Sequence, residues 1–170
     1  KTRWLRLGRL SHFSVLLALL GILLYFQHVR PIKEIIVTRD DELTLLKFTV
    51  AMEAEGESMA GKRGVAWVIM NRVRKFKHSI SDVCLTRWQF SAWNTDSPTR
   101  VRLDTISEKV MDDSHLAATD AYNSFGKDPT NGATHYLNPE LTKKLNGGRL
   151  PTWVATLSKV ATIGKHEFYK

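Results

Sequence analysis

Residues 41–73, DELTLLKFTVAMEAEGESMAGKRGVAWVIMNRV, carry the pattern from which the fold follows. Leu43, Leu46 and Val50 recur at steps of three and four, the spacing that gathers one face of an α-helix, and the next step lands on Glu53. An acid therefore stands where a core residue is due. Asp40 and Asp41 supply N-cap chemistry, and Gly56 is placed to end the helix in the left-handed conformation. Ser58 then caps a second helix. In it Val65, Val68, Ile69, Val73 and Phe76 form a buried stripe, while Lys62, Arg63, Asn71, Arg74 and Lys75 mostly face away.

Downstream, residues 79–102 read as irregular, with WQFSAWN (88–94) as an aromatic-rich loop. A third helical region covers about 105–125, closed by Gly126, with Val110, Ala117 and Ala121 turned inward. Beyond it DPTNG is a turn signal, ATHYL alternates as a strand does, and NPELTKKLNGG is loop with one helical turn. SKVATIGKHEFYK reads as two short strands around Gly164. Helices followed by a small sheet predict an α+β domain, mainly helical.

Upstream the pattern is different. Residues 10–29 contain no Lys, Arg, Asp or Glu and are rich in Leu. At about 1.5 Å per helical residue they match a hydrocarbon core of roughly 30 Å. Lys1, Arg3, Arg6 and Arg9 precede them, so the positive-inside rule keeps that end in the cytoplasm and sends the rest outward. YFQHVRPIKE lacks the small residues of a cleavage site, which predicts an uncleaved signal-anchor, although Ala18 and Gly21 leave room for later release from the membrane. The expected organisation is a basic N-terminus and transmembrane helix over 1–30, a linker over 31–41 and a catalytic domain over 42–170. Its expected place is the inner membrane of a bacterium with the catalytic domain in the periplasm.

The chain has 170 residues, 43% of them hydrophobic, enough for one core. Its net charge of +8 is partly an end effect: the first thirty residues hold five basic and no acidic side chains, leaving +3 for the remainder. Basic residues there alternate with acids instead of forming a stripe, which argues against a nucleic-acid partner. The lone cysteine, Cys84, excludes an intrachain disulfide and reads as a small buried hydrophobe.

Glu53 is the sharpest chemical feature. A carboxyl on an apolar helix face is desolvated, and desolvation favours its protonated form. A protonated carboxylic acid is what cleavage of a glycosidic bond requires. Spacing alone does not separate this from the commoner case, a helix-end glutamate held by a cap or an ion pair. Glu55 should point elsewhere, as a solvated charge. Glu57 is expected to accept hydrogen bonds from backbone amides at the start of the next helix, with an influence on the charge of Glu53 as the alternative.

MEAEGESMAGKRGVAWVIMNRV (52–73), VCLTRWQFSAWN (83–94), GKDPTNGATHYLNP (126–139) and IGKHEFY (163–169) follow one another in the order of four motifs of the SleB/CwlJ cell-wall hydrolases, and this chain resembles that family from about Leu43 to Tyr169. The resemblance implies a lysozyme-like fold of the goose-type and lytic-transglycosylase kind, with Glu53 as catalyst. Glu55 departs from the family, which commonly has Arg there. A compact catalytic domain behind one hydrophobic segment looks like a phage endolysin of the signal-arrest-release type.

The supporting residues expected around Glu53 are Glu57, Gln89, Phe90, Ser91, Thr134, His135, Tyr136, Asn138 and His166. Gln89, Ser91, Thr134, His135, Tyr136 and Asn138 offer polar groups for amino sugars, and Trp88, Phe90 and Trp93 offer flat faces; the bland alternatives are core aromatics and a turn-forming Asn138. A hydrolase needs a second carboxylate, and none stands out, although Asp96 or Asp104 could serve. A lytic transglycosylase manages with one. The expected partners are peptidoglycan as substrate and the inner membrane through residues 10–29, and the protein is expected to act as a monomer without cofactor or metal. The rivals are a zinc amidase using His115, His135 and His166, which lacks any HExxH-like pairing; a cysteine peptidase built on Cys84 with His135 or His166; and a membrane-anchored, non-catalytic peptidoglycan-binding protein.

Overall fold

Helix α1 (Arg39–Glu53) opens the described part of the computed structural model, which covers residues 39–94 and 104–170. The hydrophobic segment 10–29 and most of the linker lie outside the described residues. Among the described residues no helix is long and apolar enough to cross a membrane.

Acidic Asp40, Asp41 and Glu42 occupy the first turn of α1, where they complement the positive end of the helix dipole. The chain reverses after Glu53 through a turn in which the Glu57 amide donates to the Ala54 carbonyl (3.0 Å). Gly56 is not left-handed there, contrary to expectation. Ser58 caps α2 (Met59–Phe76), as its position predicts, accepting from the Gly61 amide.

The supposedly irregular stretch after α2 holds a short helix, α3 (Ile80–Leu85), set by a reciprocal capping box between Ser79 and Asp82. Helix α4 (Glu108–Tyr122) starts at a Ser107 cap. NPELTKKL makes a full helix, α5 (Pro139–Leu145), because Asn138 caps it and Pro139 sits at its first position, where no amide is needed. Strands β1 (His135–Leu137), β2 (Lys159–Ile163) and β3 (His166–Tyr169) form an antiparallel sheet in the order β1-β3-β2. The expected α+β class stands, with five helices instead of three among the described residues.

The main core joins Leu46 and Val50 of α1, Val65, Ala66 and Ile69 of α2, and Ala117, Ala118 and Ala121 of α4, all fully buried. Each large side chain among them contributes roughly 1.5–3 kcal/mol. Small alanines on α4 let the helices approach closely. A second cluster, Val68, Ala133 and Phe168, seats the sheet on α2. At that contact Gly64 is required by space, since a Cβ there would lie 2.6 Å from Phe168 Cζ.

Several sequence expectations for α2 are corrected. Lys62 is only 3% exposed, and half-buried Asn71 reaches across to the 128–133 turn; Arg63 and Arg74 stay largely in solvent, as expected, while reaching Asp120 and, respectively, the Ala121 carbonyl and Ser124. Long polar side chains on a helix flank can bridge to a neighbouring element while their stems cover apolar surface. Phe76, placed in the stripe, is 47% exposed because α2 ends beyond the core.

Candidate active site

Glu53 is the last residue of α1, on the face defined by buried Leu46 and Val50. Strand β1 brings Tyr136 to it: the phenol donates a hydrogen bond to Glu53 Oε2 at 3.1 Å. Burial pushes the Glu53 carboxyl above the ordinary carboxylate range, against the opposing pull of the Tyr136 hydrogen bond and the nearby Arg72 cation. The Tyr136 phenol is itself held well above its usual value, chiefly by burial and next by the Glu53 charge, so it remains a donor. The arrangement keeps a carboxylic acid proton available nearer neutrality while one partner fixes its orientation.

Arg72, which the sequence reasoning passed over, joins the group around Glu53. Its Nε donates to the Thr134 carbonyl (2.6 Å), its Nη1 to Gln89 Oε1 (3.2 Å), and its guanidinium lies 5.5 Å over the Phe90 ring. It thus ties α2 to β1 and to the aromatic loop while setting a positive field near Glu53. A signal was available. Steps of three and four from Val65 and Val68 reach Arg72, a charge on an apolar stripe by the same logic that singled out Glu53.

The other expected site residues separate into groups. Gln89 is exposed and engaged by Arg72, and Ser91 is exposed at the start of the 3-10 turn Ser91–Trp93. Phe90 is 2% exposed, so it is a platform for Arg72 and offers no face to a sugar ring. Trp88 is 67% exposed, whereas Trp93 is half-buried and donates through Nε1 to Thr49 Oγ1 (2.9 Å). Thr134 is buried, its hydroxyl 3.1 Å from His135 Nδ1, which removes it from any substrate. Asn138 is the cap of α5, accepting from the Leu141 amide (3.0 Å), the turn-former role of the bland alternative.

Glu57 does not reach the amides of the next helix. Its Oε2 accepts from the Lys165 amide (3.4 Å) in the β2–β3 turn, and its Oε1 faces His166 Nδ1 at 4.0 Å. His166 is 8% exposed and lies edge-on to Tyr136, with ring centroids 5.1 Å apart. Burial lowers the His166 proton affinity, while Glu57 opposes that shift. His135 is likewise held below its usual value by burial and by the Arg72 and Lys75 charges.

The DPTNG turn is structural. Asp128 accepts from the Thr130 amide (2.7 Å), the Thr130 hydroxyl (2.7 Å), the Gly132 amide (2.8 Å) and Asn71 Nδ2 (2.9 Å). Burial pushes this carboxyl up, but the hydrogen bonds outweigh it and leave it below the usual range. The turn thereby fixes where β1, and hence Tyr136, begins.

A groove of about 260 Å³ beside the site is lined by Arg72, Phe76, His78, Gln89 and His135, among others. A larger concavity, about 520 Å³, lies against Arg63, Trp67, Asp120 and Phe125 and shares no residue with the Glu53 group. Glu53 and Tyr136 line neither of them; the smaller adjoins their surroundings through Arg72, Gln89 and His135. Cys84 is fully buried and its thiol is pushed up to about 11 by burial, despite opposing pulls from Thr49 and Arg72, which leaves no thiolate for a cysteine peptidase. Among the described residues no three His, Cys, Asp or Glu side chains converge as metal ligands, and His115, required by the zinc reading, is exposed on α4.

The geometry has relatives. The catalytic domain of the Bacillus cereus SleB protein is similar at 30% identity and a TM-score of 0.56, over 76% of this chain and 89% of that one. The catalytic domain of a germination-specific lytic transglycosylase, SleB from Bacillus anthracis, is similar at 28% identity and a TM-score of 0.58, over 82% and 99%. A spore cortex-lytic enzyme of Halalkalibacterium halodurans is 30% identical over 131 residues, 76% of this chain and 34% of that protein. Another, from Bacillus cereus, is 30% identical over 132 residues, 76% and 44%. The chain thus spans less than half the length of these curated relatives. The model of the family described as Cell Wall Hydrolase matches residues 56–169, from just after Glu53 through α2, Arg72 and the sheet that carries Tyr136 and His166. On that match, over most of its length, the chain belongs to the Cell Wall Hydrolase family, of the SleB/CwlJ type.

Proposed function

We propose that this chain cleaves the glycan strands of bacterial peptidoglycan at the β-1,4 bond between N-acetylmuramic acid and N-acetylglucosamine, with Glu53 as general acid and then base. The observation that carries the reading is the Glu53 carboxyl itself: desolvated, raised in proton affinity, and oriented by the Tyr136 hydroxyl. Its proton passes to the glycosidic oxygen as the bond from the anomeric carbon breaks. The resulting carboxylate takes the proton of the muramic acid 6-hydroxyl, whose oxygen closes onto the anomeric carbon as an anhydro ring. One carboxyl serves both steps, which favours a lytic transglycosylase over a hydrolase. Glu57, the neighbouring acid, is turned to the Lys165 amide and His166. Asp104 is exposed, and Asp96 lies outside the described residues.

The membrane reading is part of the same proposal. Residues 1–30 serve as a basic N-terminus and signal-anchor in the bacterial inner membrane, 31–41 as linker, and 42–170 as a monomeric catalytic domain in the periplasm. Release of that anchor to lyse a phage-infected host fits the hydrophobic segment and the compact domain.

Mass spectrometry of fragments released from purified peptidoglycan tests the chemistry. Anhydro-muropeptides support the transglycosylase reading, reducing ends replace it by hydrolysis, and free stem peptides support an amidase instead. Protein that binds sacculi and releases nothing is a binding protein.

A further inference from the structure

We propose that Glu57 and His166 form a positioning pair that holds the Tyr136 ring so that its hydroxyl stays on Glu53, without touching substrate. The inference rests on the reading of Glu53 as the acid. The Tyr136 ring is gripped from two sides by β3: His166 meets it edge-on at 5.1 Å and 86°, and Phe168 stacks on it at 6.0 Å and 28°. Residues 166 and 168 share one face of the strand, and Tyr136 is in register with Phe168. Phe168 is locked between Gly64 and the second core cluster. His166 has no such lock, being the first residue of β3 after the turn at Gly164.

Glu57 supplies one. Its carboxylate lies against bare backbone: a Cβ on Gly164 would come within 2.2 Å of Oε2, and a Cβ on Gly61 within 2.7 Å of the Glu57 Cβ. From that niche Oε2 takes the Lys165 amide at 3.4 Å, one residue before His166, and Oε1 faces the buried His166 Nδ1 at 4.0 Å, an electrostatic contact beyond hydrogen-bond length to a nitrogen that has no hydrogen-bond partner. Lys62 Nζ fastens the same turn by donating to the Glu57 carbonyl at 2.7 Å. Glu57 is four residues from Glu53, so the α1–α2 turn that presents the acid also fixes the strand that presents its partner. The charged and titratable groups around His166 are Glu57 from that turn, Lys165 from the β2–β3 turn and Tyr136 from β1.

A direct effect of the Glu57 charge on Glu53 and an effect through Tyr136 have opposite signs. Removing a neighbouring negative charge lowers the proton affinity of Glu53, whereas loosening the Tyr136 hydrogen bond raises it. The test follows the Glu53 side-chain carboxyl by carbon-13 NMR titration in the full chain, for the wild type, Tyr136→Phe, His166→Leu, Glu57→Gln and the double variant Tyr136→Phe/His166→Leu. This measurement needs no turnover, so a chain that releases no glycan fragments refutes the proposed function without deciding the positioning pair.

Tyr136→Phe is expected to raise the Glu53 midpoint by about one unit. His166→Leu and Glu57→Gln should raise it in the same direction by less, and His166→Leu should add nothing once Tyr136 is Phe. A downward shift in Glu57→Gln, no shift in a folded His166→Leu, or an equal shift for His166→Leu in both backgrounds overturns the proposal. If His166→Leu does not fold, the near-isosteric Glu57→Gln decides by sign alone, and an unmoved midpoint there also refutes it.

Discussion

Replacing Glu53 by Gln should stabilise the protein while removing its activity, and the two effects have one cause. Burial raises the proton affinity of Glu53 in the folded state. A carboxyl that binds its proton more tightly folded than unfolded makes stability fall as the pH rises from the ordinary carboxylate value, about 4.3, towards the folded one. Above the folded value the whole burden is in place. Gln carries no charge to desolvate, and its amide oxygen can accept the Tyr136 hydroxyl, keeping a hydrogen bond worth about 1 kcal/mol net. Leu at the same position loses that bond and should melt about 3–5 °C below the Gln variant. The chemical step should slow by about 10² to 10⁴, or roughly 3–5 kcal/mol of barrier. Thermal melts followed by circular dichroism at pH 4 and pH 7.5, paired with soluble-fragment release from peptidoglycan, measure both. An Glu53→Gln protein less stable than wild type at pH 7.5, with a gap that does not change at pH 4, refutes the desolvation argument.

Further outcomes follow from individual contacts. Arg72→Ala removes the bond to the Thr134 carbonyl, the bond to Gln89 and the stacking on Phe90; chemical denaturation should register a loss of about 2–3 kcal/mol. The same variant raises the Glu53 proton affinity further, because the opposing cation is gone, so the alkaline limb of the pH–rate profile should move up. Asp128→Ala strips four acceptor bonds from the 128–132 turn and should cost about 2–4 kcal/mol at neutral pH. Since Asp128 is depressed in the folded state, its contribution is complete above the unfolded carboxylate value and is lost as the pH falls through the folded one; denaturation curves of wild type and variant should therefore converge in acid. Gly164→Ala combines a φ of +60° with a clash on Glu57 Oε2, for an expected loss of about 1–3 kcal/mol in urea melts. Cys84→Ala leaves only a small cavity, costing about 1 kcal/mol, and should retain fragment release.

What the sequence alone determined about the fold are the features set by local chemistry. The α1 periodicity, the Ser58 cap, the strand pair around Gly164 and the burial of Cys84 can each be read from a few adjacent residues. Glu53 was legible for the same reason: a period of three and four is a local property, and a charge interrupting it is visible without knowing what packs there. The short helices α3 and α5 were in principle legible too, in the Ser79–Asp82 box and in Asn138–Pro139, but both are too short to show apolar periodicity.

Only the tertiary structure decided which polar residues meet. Tyr136 reaches Glu53 across 83 positions of sequence, and Glu57 meets the Lys165 amide across 108. Neither pairing leaves a trace in spacing, because strand register and helix packing choose the partners. The same holds for Phe90, Thr134 and Asn138, whose side chains could as well have faced a substrate until the fold assigned one to the core, one to a buried hydroxyl contact and one to a helix cap. Residue type fixes what a side chain can do; the fold fixes whether water, backbone or another side chain is there for it to act on.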